Sequence, residues 1–265
     1  MIGGQGRIVT AMPMRVLVAR DYRQAYAHRA RYFADPAMMA GRDRRSTVFK
    51  CRNIMARLPL CRASRVLDVG CGDGTLLRLI GERVARRCGI DPSADAVTKL
   101  RRLFEGEANV EFEIGTSEQI PYAEGSFDIV VMNAVMLHLS CEAEVVRTLG
   151  ELVRVCAPAA VGYVGEMPFR PEGGATRYWT LLRHFGLGRL LRFVDESYLA
   201  PLARGEPLLV EPGGRTLAIP ADRMVQLCED TGATVRYWRH PEVKRPSTTR
   251  NDYFLRVEKA MNGSN

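Results

Sequence analysis

The clearest pattern along the chain is a change of period near residue 65. Before it, apolar side chains recur at helical spacing. Tyr22, Tyr26, Ala30 and Phe33 mark a helix over 21–33, and Val48, Cys51, Met55 and Leu58 mark a second that begins at Ser46, an N-cap type. After it, short apolar runs alternate with amphipathic stretches. The runs Arg65–Val69, Cys88–Asp91, Val110–Ile114, Phe127–Met132 and Val161–Glu166 predict strands, and the stretches Thr75–Val84, Ser93–Phe104 and Glu142–Val155 predict helices among them. The alternation stops between Pro168 and Pro220, where a helix is expected over 177–193 and a hairpin over 208–219, turning at Pro212-Gly213-Gly214. It resumes with a helix over 221–230 and strands over 234–238 and 253–257. With no helix between them, those two strands are expected to pair antiparallel.

Strands alternating with helices imply a parallel sheet covered on both faces. The predicted fold class is therefore α/β: a doubly wound, mostly parallel, seven-stranded Rossmann-like sheet with an antiparallel last strand, plus a helical and hairpin insertion before the last helix. The expected division is a basic helical cap over 1–60, a core domain over 61–167 and 220–260, and an inserted substrate-recognition lid over 168–219.

Composition narrows the class further. The chain has 265 residues, 46% hydrophobic and 26% charged, which excludes global disorder. No apolar run approaches the roughly 18 residues of a membrane helix, and Arg7, Arg15 and Arg20 interrupt any secretory apolar segment, so none is expected. The seven cysteines are odd in number and lack CxxC spacing, which argues against a disulfide framework or a zinc site. Reduced thiols, a cytoplasmic setting and no metal are expected. Residues 1–65 carry fourteen basic side chains against three acidic ones, whereas the other 200 carry 24 against 27. Such a basic flank is either a solvated helical face or an attractor of phosphorylated substrates, nucleic acid or acidic lipid.

The densest chemical signal is Val66-Leu-Asp-Val-Gly-Cys-Gly-Asp-Gly-Thr75. A strand ends, glycines allow a tight turn and close approach of a ligand, and a helix begins with free N–H groups. Asp91 lies 21 residues after Gly70, at the end of the next strand, where a carboxylate grips both ribose hydroxyls. The pattern departs from the dinucleotide G-x-G-x-x-G because the third glycine comes one residue early. Asp68 and Asp73 would also oppose a pyrophosphate while tolerating a cation. S-adenosylmethionine, with an ammonium and a sulfonium and no phosphate, suits that charge pattern.

Four segments in order, Val66 to Thr75, Gly89-Ile-Asp-Pro-Ser93, Ile120 to Val131 and Glu151-Leu-Val-Arg-Val-Cys-Ala-Pro158, resemble the class I S-adenosylmethionine-dependent methyltransferases. The resemblance is to their small-molecule branch, which includes ubiquinone-type and related O- and N-methyltransferases. It covers about residues 60–167 and the closing strands. It implies S-adenosyl-L-methionine as cofactor, held by Asp68, Gly70, Gly72, Asp91, Pro92 and Asn133. Where the family often has Gly-Asp-Ala-Glu, this chain has Gly115-Thr-Ser-Glu118, so the adenine contact is expected from the Thr116 hydroxyl or the Ser117 backbone. The family's Pro-Gly-Gly turn is Pro158-Ala159-Ala160 here, without the glycines that reach positive φ.

Methyl transfer is an in-line displacement in which positioning alone contributes about 7–11 kcal/mol, and a hydroxyl acceptor also needs a base. His138, just past the fourth strand, is the leading catalytic candidate, and His184 in the inserted helix is the second. Each could instead be structural; His28 and His240 read as solvent-facing or structural, and Asp252 as the start of the last strand, with a turn residue as the alternative. Tyr22 and Tyr26 are candidates to close over the bound molecules, with packing as the alternative. Tyr178, Trp179 and Arg183 in the insertion suit a sugar or an anionic aromatic acceptor. The expected function is methyl transfer to a small-molecule acceptor, anionic or glycosylated, at a hydroxyl of a sugar, glycan or secondary metabolite. The alternatives are N-methylation of a small molecule, an RNA methyltransferase, or a cofactor-binding scaffold without turnover. Nucleic acid is disfavoured because the loop Met132-Asn-Ala-Val lacks the proline of base-flipping enzymes and no cysteine follows a proline. The sequence leaves the oligomeric state open.

Overall fold

A computed structural model describes residues 16–20, 22–33, 44–170, 208–210, 216–241 and 246–258, with isolated positions between 187 and 204. The strands are β1 (Val16–Val18), β2 (Arg65–Val69), β3 (Arg86–Asp91), β4 (Val110–Ile114), β5 (Phe127–Asn133), β6 (Cys156–Pro168), β7 (Leu208–Val210), β8 (Ala233–Pro241) and β9 (Pro246–Val257). The helices are α1 (Tyr22–Tyr32), α2 (Arg44–Met55), α3 (Thr75–Ile80), α4 (Ala94–Leu103), α5 (Glu142–Val155) and α6 (Ala221–Glu229). Seven strands form one sheet in the order β4-β3-β2-β5-β6-β9-β8. The first five of that order are mutually parallel, and β9 runs antiparallel to β6 and β8. The expected fold class and the antiparallel closing pair are thus observed.

The buried alternation of β5 explains the two-faced packing. Val130 and Met132 face Val145, Leu149 and Leu152 of α5 and Met224 and Leu227 of α6. Ile129 and Val131 face the opposite layer, with Ile54 of α2, Leu77 of α3 and Leu100 of α4. Each such large apolar side chain, fully buried, contributes about 1.5–3 kcal/mol. Because β3 and β5 flank β2 on opposite sides and are reached by opposite crossovers, the order reverses at β2, and the crevice beyond its C-terminal end is where such sheets bind ligands.

Several expectations need correction. The hairpin over 208–219 is not formed as expected. Leu208–Val210 instead pairs in parallel with Val16–Val18, a strand the sequence pattern did not announce. The would-be second arm, residues 216–219, is not a strand. There Leu217 N–H donates to Leu137 O at 3.2 Å and Ile219 N–H donates to Pro168 O at 2.9 Å, which ties this segment to the 3-10 turn after β5 and to the end of β6. The helix expected to reach Val84 stops at Ile80, where Gly81 turns with φ of +56° into a short 3-10 turn over Gly81–Arg83. The turn at Pro158-Ala159-Ala160 does reach the left-handed region, on Ala159 with φ of +62°. The helix expected over 177–193 lies mostly outside the described residues.

Candidate active site

The site is built from loops at the C-terminal edge of the sheet. After β2 the chain turns through Gly70 (φ +72°) and Gly72 (φ +56°). The N–H groups of Gly70 and Cys71 both donate to Ile90 O, at 2.8 and 3.0 Å, which clamps the turn onto β3. A Cβ on Gly70 would lie 2.4 Å from Val135 Cγ2, so this position excludes any side chain. On Gly72 a Cβ would meet only Gly70 O and the Tyr26 hydroxyl at 4.0 Å, leaving the cavity side of the backbone bare. Asp73 Oδ1 accepts from Thr75 N–H at 2.9 Å and opens α3.

Asp91 ends β3, 1% exposed. Its Oδ2 accepts from the Tyr26 hydroxyl at 2.8 Å and from Gly72 N–H at 3.2 Å, and its Oδ1 accepts from Ser93 N–H at 3.0 Å. Burial pushes the carboxyl up to about 6, against the pull of those three donors. Asp68, buried at the end of β2, is pushed up to about 8 by desolvation first and by the charges of Asp73 and Asp91 second. Three carboxylates crowded in one crevice call for a cationic ligand.

Around them lies a cavity of about 330 Å³. All eight residues expected to hold the cofactor line it: Asp68, Gly70, Gly72, Asp91, Pro92, Thr116, Ser117 and Asn133. The Ser117 hydroxyl is engaged with Thr148 Oγ1 at 3.1 Å, so its side chain is turned to the protein. Asn133 Oδ1 is buried without a hydrogen-bond partner. His138, on a 3-10 turn over Met136–His138, and Tyr26 also line the cavity. Tyr26 stands at the Asp91 end of the cavity. Tyr22 begins α1, but its side chain, like Tyr178, Trp179, Arg183 and His184, lies outside the described residues. His28 is partly buried beside Tyr32, with ring centroids 6.0 Å apart.

A second group of charges was missed in the sequence. Glu166, 0% exposed with φ of +59°, sits at a register shift in β6 between Val164 and Met167. Lys50 of α2 reaches its Oε1 at 2.8 Å and Arg250 of β9 its Oε2 at 2.5 Å. His240 of β8 is 3% exposed, which leaves the structural one of its two readings and removes the solvent-facing one. Its Nδ1 is 2.7 Å from Asp252 Oδ1, and the same oxygen accepts from Glu166 N–H at 3.0 Å. Asp252 lies inside β9, fully buried, a strand residue as expected, although the strand begins earlier, at Pro246. A Glu far from His and Asp in sequence gives no local signal; only the bulge and the β8–β9 register bring them together.

The cavity's acidity and bare glycine backbone, with the unpartnered Asn133 oxygen at its edge, fit a cationic adenosyl ligand such as S-adenosylmethionine. Comparison with known proteins agrees. Residues 66–159 match the family model described as a methyltransferase domain. A trans-aconitate 2-methyltransferase of Azoarcus sp. is 29% identical over 212 residues, covering 78% of this chain and 75% of that one. A ubiquinone biosynthesis O-methyltransferase of Thiobacillus denitrificans is 34% identical over 107 residues, covering 40% and 46%. Among solved structures, a chain from the complex between the Haloferax volcanii Trm112 methyltransferase activator and a putative methyltransferase superposes with a TM-score of 0.61 at 15% identity, covering 91% of this chain and 100% of that one. Residues 66–159 therefore carry a methyltransferase domain similar to those of the class I S-adenosylmethionine-dependent methyltransferases, with S-adenosylmethionine as the cofactor of that domain. For four further curated relatives, the matched stretch spans only 29–41% of their length.

Proposed function

We propose that this protein transfers a methyl group from S-adenosylmethionine to an oxygen of a small-molecule acceptor, with a hydroxyl of a sugar, glycan or secondary metabolite as the reading carried over from the sequence. The observation that carries the proposal is the continuous cavity wall from Thr116 through Asp91, Gly70 and Gly72 to Asn133. The bound cofactor supplies an activated methyl on a sulfonium that leaves as a neutral thioether. The chain's own part is mainly positional. Asp91 and the Tyr26 hydroxyl that bonds it fix the ribose end, the backbone at Gly70 and Gly72 receives the methionine end, and Asn133 stands at the ammonium. Thr116 and the Ser117 backbone border the adenine end. Holding the reactants collinear is worth about 7–11 kcal/mol of the barrier.

The domain division is part of this proposal: residues 1–60 cap the cofactor, as Tyr26 illustrates, and 168–219 selects the acceptor. A second reading is a carboxylate acceptor. It is favoured by the relative named for trans-aconitate, a tricarboxylate, which matches most of this chain. Both readings are tested by incubating the protein with methyl-labelled S-adenosylmethionine and a panel of hydroxylated and carboxylated metabolites. A label resistant to mild alkali marks a methyl ether, and one released by alkali marks an ester. Absence of transfer to any member, together with salt-sensitive transfer to RNA, would overturn both. None of the seven cysteines is joined in a disulfide. Among the described residues no helix is long and apolar enough to cross a membrane, and no cluster could hold a metal ion.

A further inference from the structure

The residues bordering the cavity follow the order of the strands. Thr116 comes after β4, Asp91 ends β3, Gly70 and Gly72 follow β2, and Asn133 ends β5. Read as the cofactor's track, this edge runs from adenine at β4 to the methionine at β5, so the acceptor belongs beside β5 and β6. The next residues along the same edge are Glu166, Arg250, Asp252 and His240, on β6, β9 and β8. The join is close. Asn133 pairs in register with Gly165, where a Cβ would lie 2.3 Å from Asn133 Oδ1, and Ala134 N–H donates to Gly165 O at 3.0 Å. In α2, Thr47, Cys51 and Ile54 line the cavity while Lys50, between them, holds Glu166.

We propose that His240, oriented by Asp252, is the base that takes the proton from the methyl acceptor, which makes the acceptor one whose reacting atom carries a proton, a hydroxyl first of all. The proposal rests on the cavity being the cofactor site. Asp252 Oδ1 accepts from Nδ1–H, so the lone pair of the neutral ring lies on Nε2, a buried atom with no hydrogen-bond partner. Asp252 Oδ2 and Asn251 Oδ1 beside it are likewise buried without a partner, and such a group of unpartnered polar atoms signals a ligand that completes it. The charges are prepared for a proton. Lys50 and Arg250 balance Glu166 and Asp252 while the ring is neutral, and the charge of a protonated ring is met by Asp252 Oδ1, 2.7 Å from Nδ1, and Glu166 Oε1, 3.9 Å from Nε2. Tyr163 also lies against Asp252, whose charge, after burial, pushes the phenol up and keeps it protonated. In the step, the acceptor oxygen forms its bond to the methyl carbon as the carbon–sulfur bond breaks and sulfur keeps the pair. The O–H bond breaks, its pair stays on oxygen, and the proton forms the Nε2–H bond. It passes to water when the product leaves. His138 is then part of the cavity wall, and Asp252 and Glu166 are positioning residues.

The test begins with 15N-labelled protein saturated with S-adenosylhomocysteine at pH 7.5. The expected ring spectrum of His240 shows Nδ1 protonated and Nε2 bare. In Asp252→Asn the tautomer is expected to shift toward Nε2–H. An Nε2–H tautomer or a permanent imidazolium in the wild type, or an unchanged tautomer in Asp252→Asn, overturns the assignment without any acceptor being known. With a turned-over panel acceptor, His240→Gln should lower turnover at least about 100-fold and change S-adenosylhomocysteine affinity less than twofold; turnover within threefold of wild type overturns the proposal. Failure of the wild type to bind S-adenosylhomocysteine would instead sink the reading of the cavity itself.

Discussion

Asp91 gathers three donors from three separate segments, Tyr26 of α1, Gly72 of the turn and Ser93 at the start of α4, and still presents a buried carboxylate to the cavity. Asp91→Ala should therefore weaken S-adenosylhomocysteine binding at least tenfold by calorimetry, about 1.4 kcal/mol, and unchanged affinity would remove it from the site. Its place beside the glycine turn was legible in the sequence because that place is set by local spacing, one strand length after the turn. Glu166, His240 and Asp252 were not. Their contacts depend on a β-bulge in one strand and on antiparallel register between two others, and neither leaves a spacing that can be read along the chain. Tyr26 shows an intermediate case: its helical period was readable, but its partner, 65 residues away, was not.

At the scale of elements, the strands and helices from Arg65 to Val155 follow the sequence pattern closely, because apolar alternation and caps such as Ser93, whose hydroxyl accepts from Ala96 N–H at 3.3 Å, act locally. The failures come where a partner outside the segment decides. Leu208–Val210 carries the alternation of a hairpin arm, but β1 supplies its edge. Ala159 was expected to forgo the left-handed turn that glycines make in similar proteins, yet the surrounding strand β6 holds it at φ of +62°. An L-residue there bears a strain of about 1–2 kcal/mol. Ala159→Gly should relieve most of it, and part of that gain is offset by the freer unfolded chain. A net stabilisation of up to about 1 kcal/mol in urea unfolding is expected, and a clear loss would show that the turn is unstrained.

For the whole molecule, the acidic crevice links folding, cofactor and pH. Asp68 and Asp91 are raised to about 8 and about 6 in the folded protein, against 3.8 as the ordinary value. Between those limits the folded state holds more protons than the unfolded one, so the stability of the ligand-free protein should fall as pH rises from about 4 to about 8. A cationic ligand favours the ionised carboxylates, so cofactor affinity should rise over the upper part of that range and binding at pH 7 should release protons. Thermal unfolding across pH checks the first statement, and calorimetry in buffers of different ionisation enthalpy checks the second. A ligand-free stability that climbs steadily to pH 8 would contradict the burial of these groups.

The most direct measurement is a calorimetric titration of the purified wild-type protein with S-adenosylmethionine, S-adenosylhomocysteine, reduced nicotinamide dinucleotide and flavin dinucleotide in parallel. Saturable one-to-one binding of the two adenosyl compounds, lost or sharply weakened in Asp91→Ala, with neither dinucleotide bound, is the predicted result. Indifference to both adenosyl compounds together with uptake of a dinucleotide would contradict the account at its root.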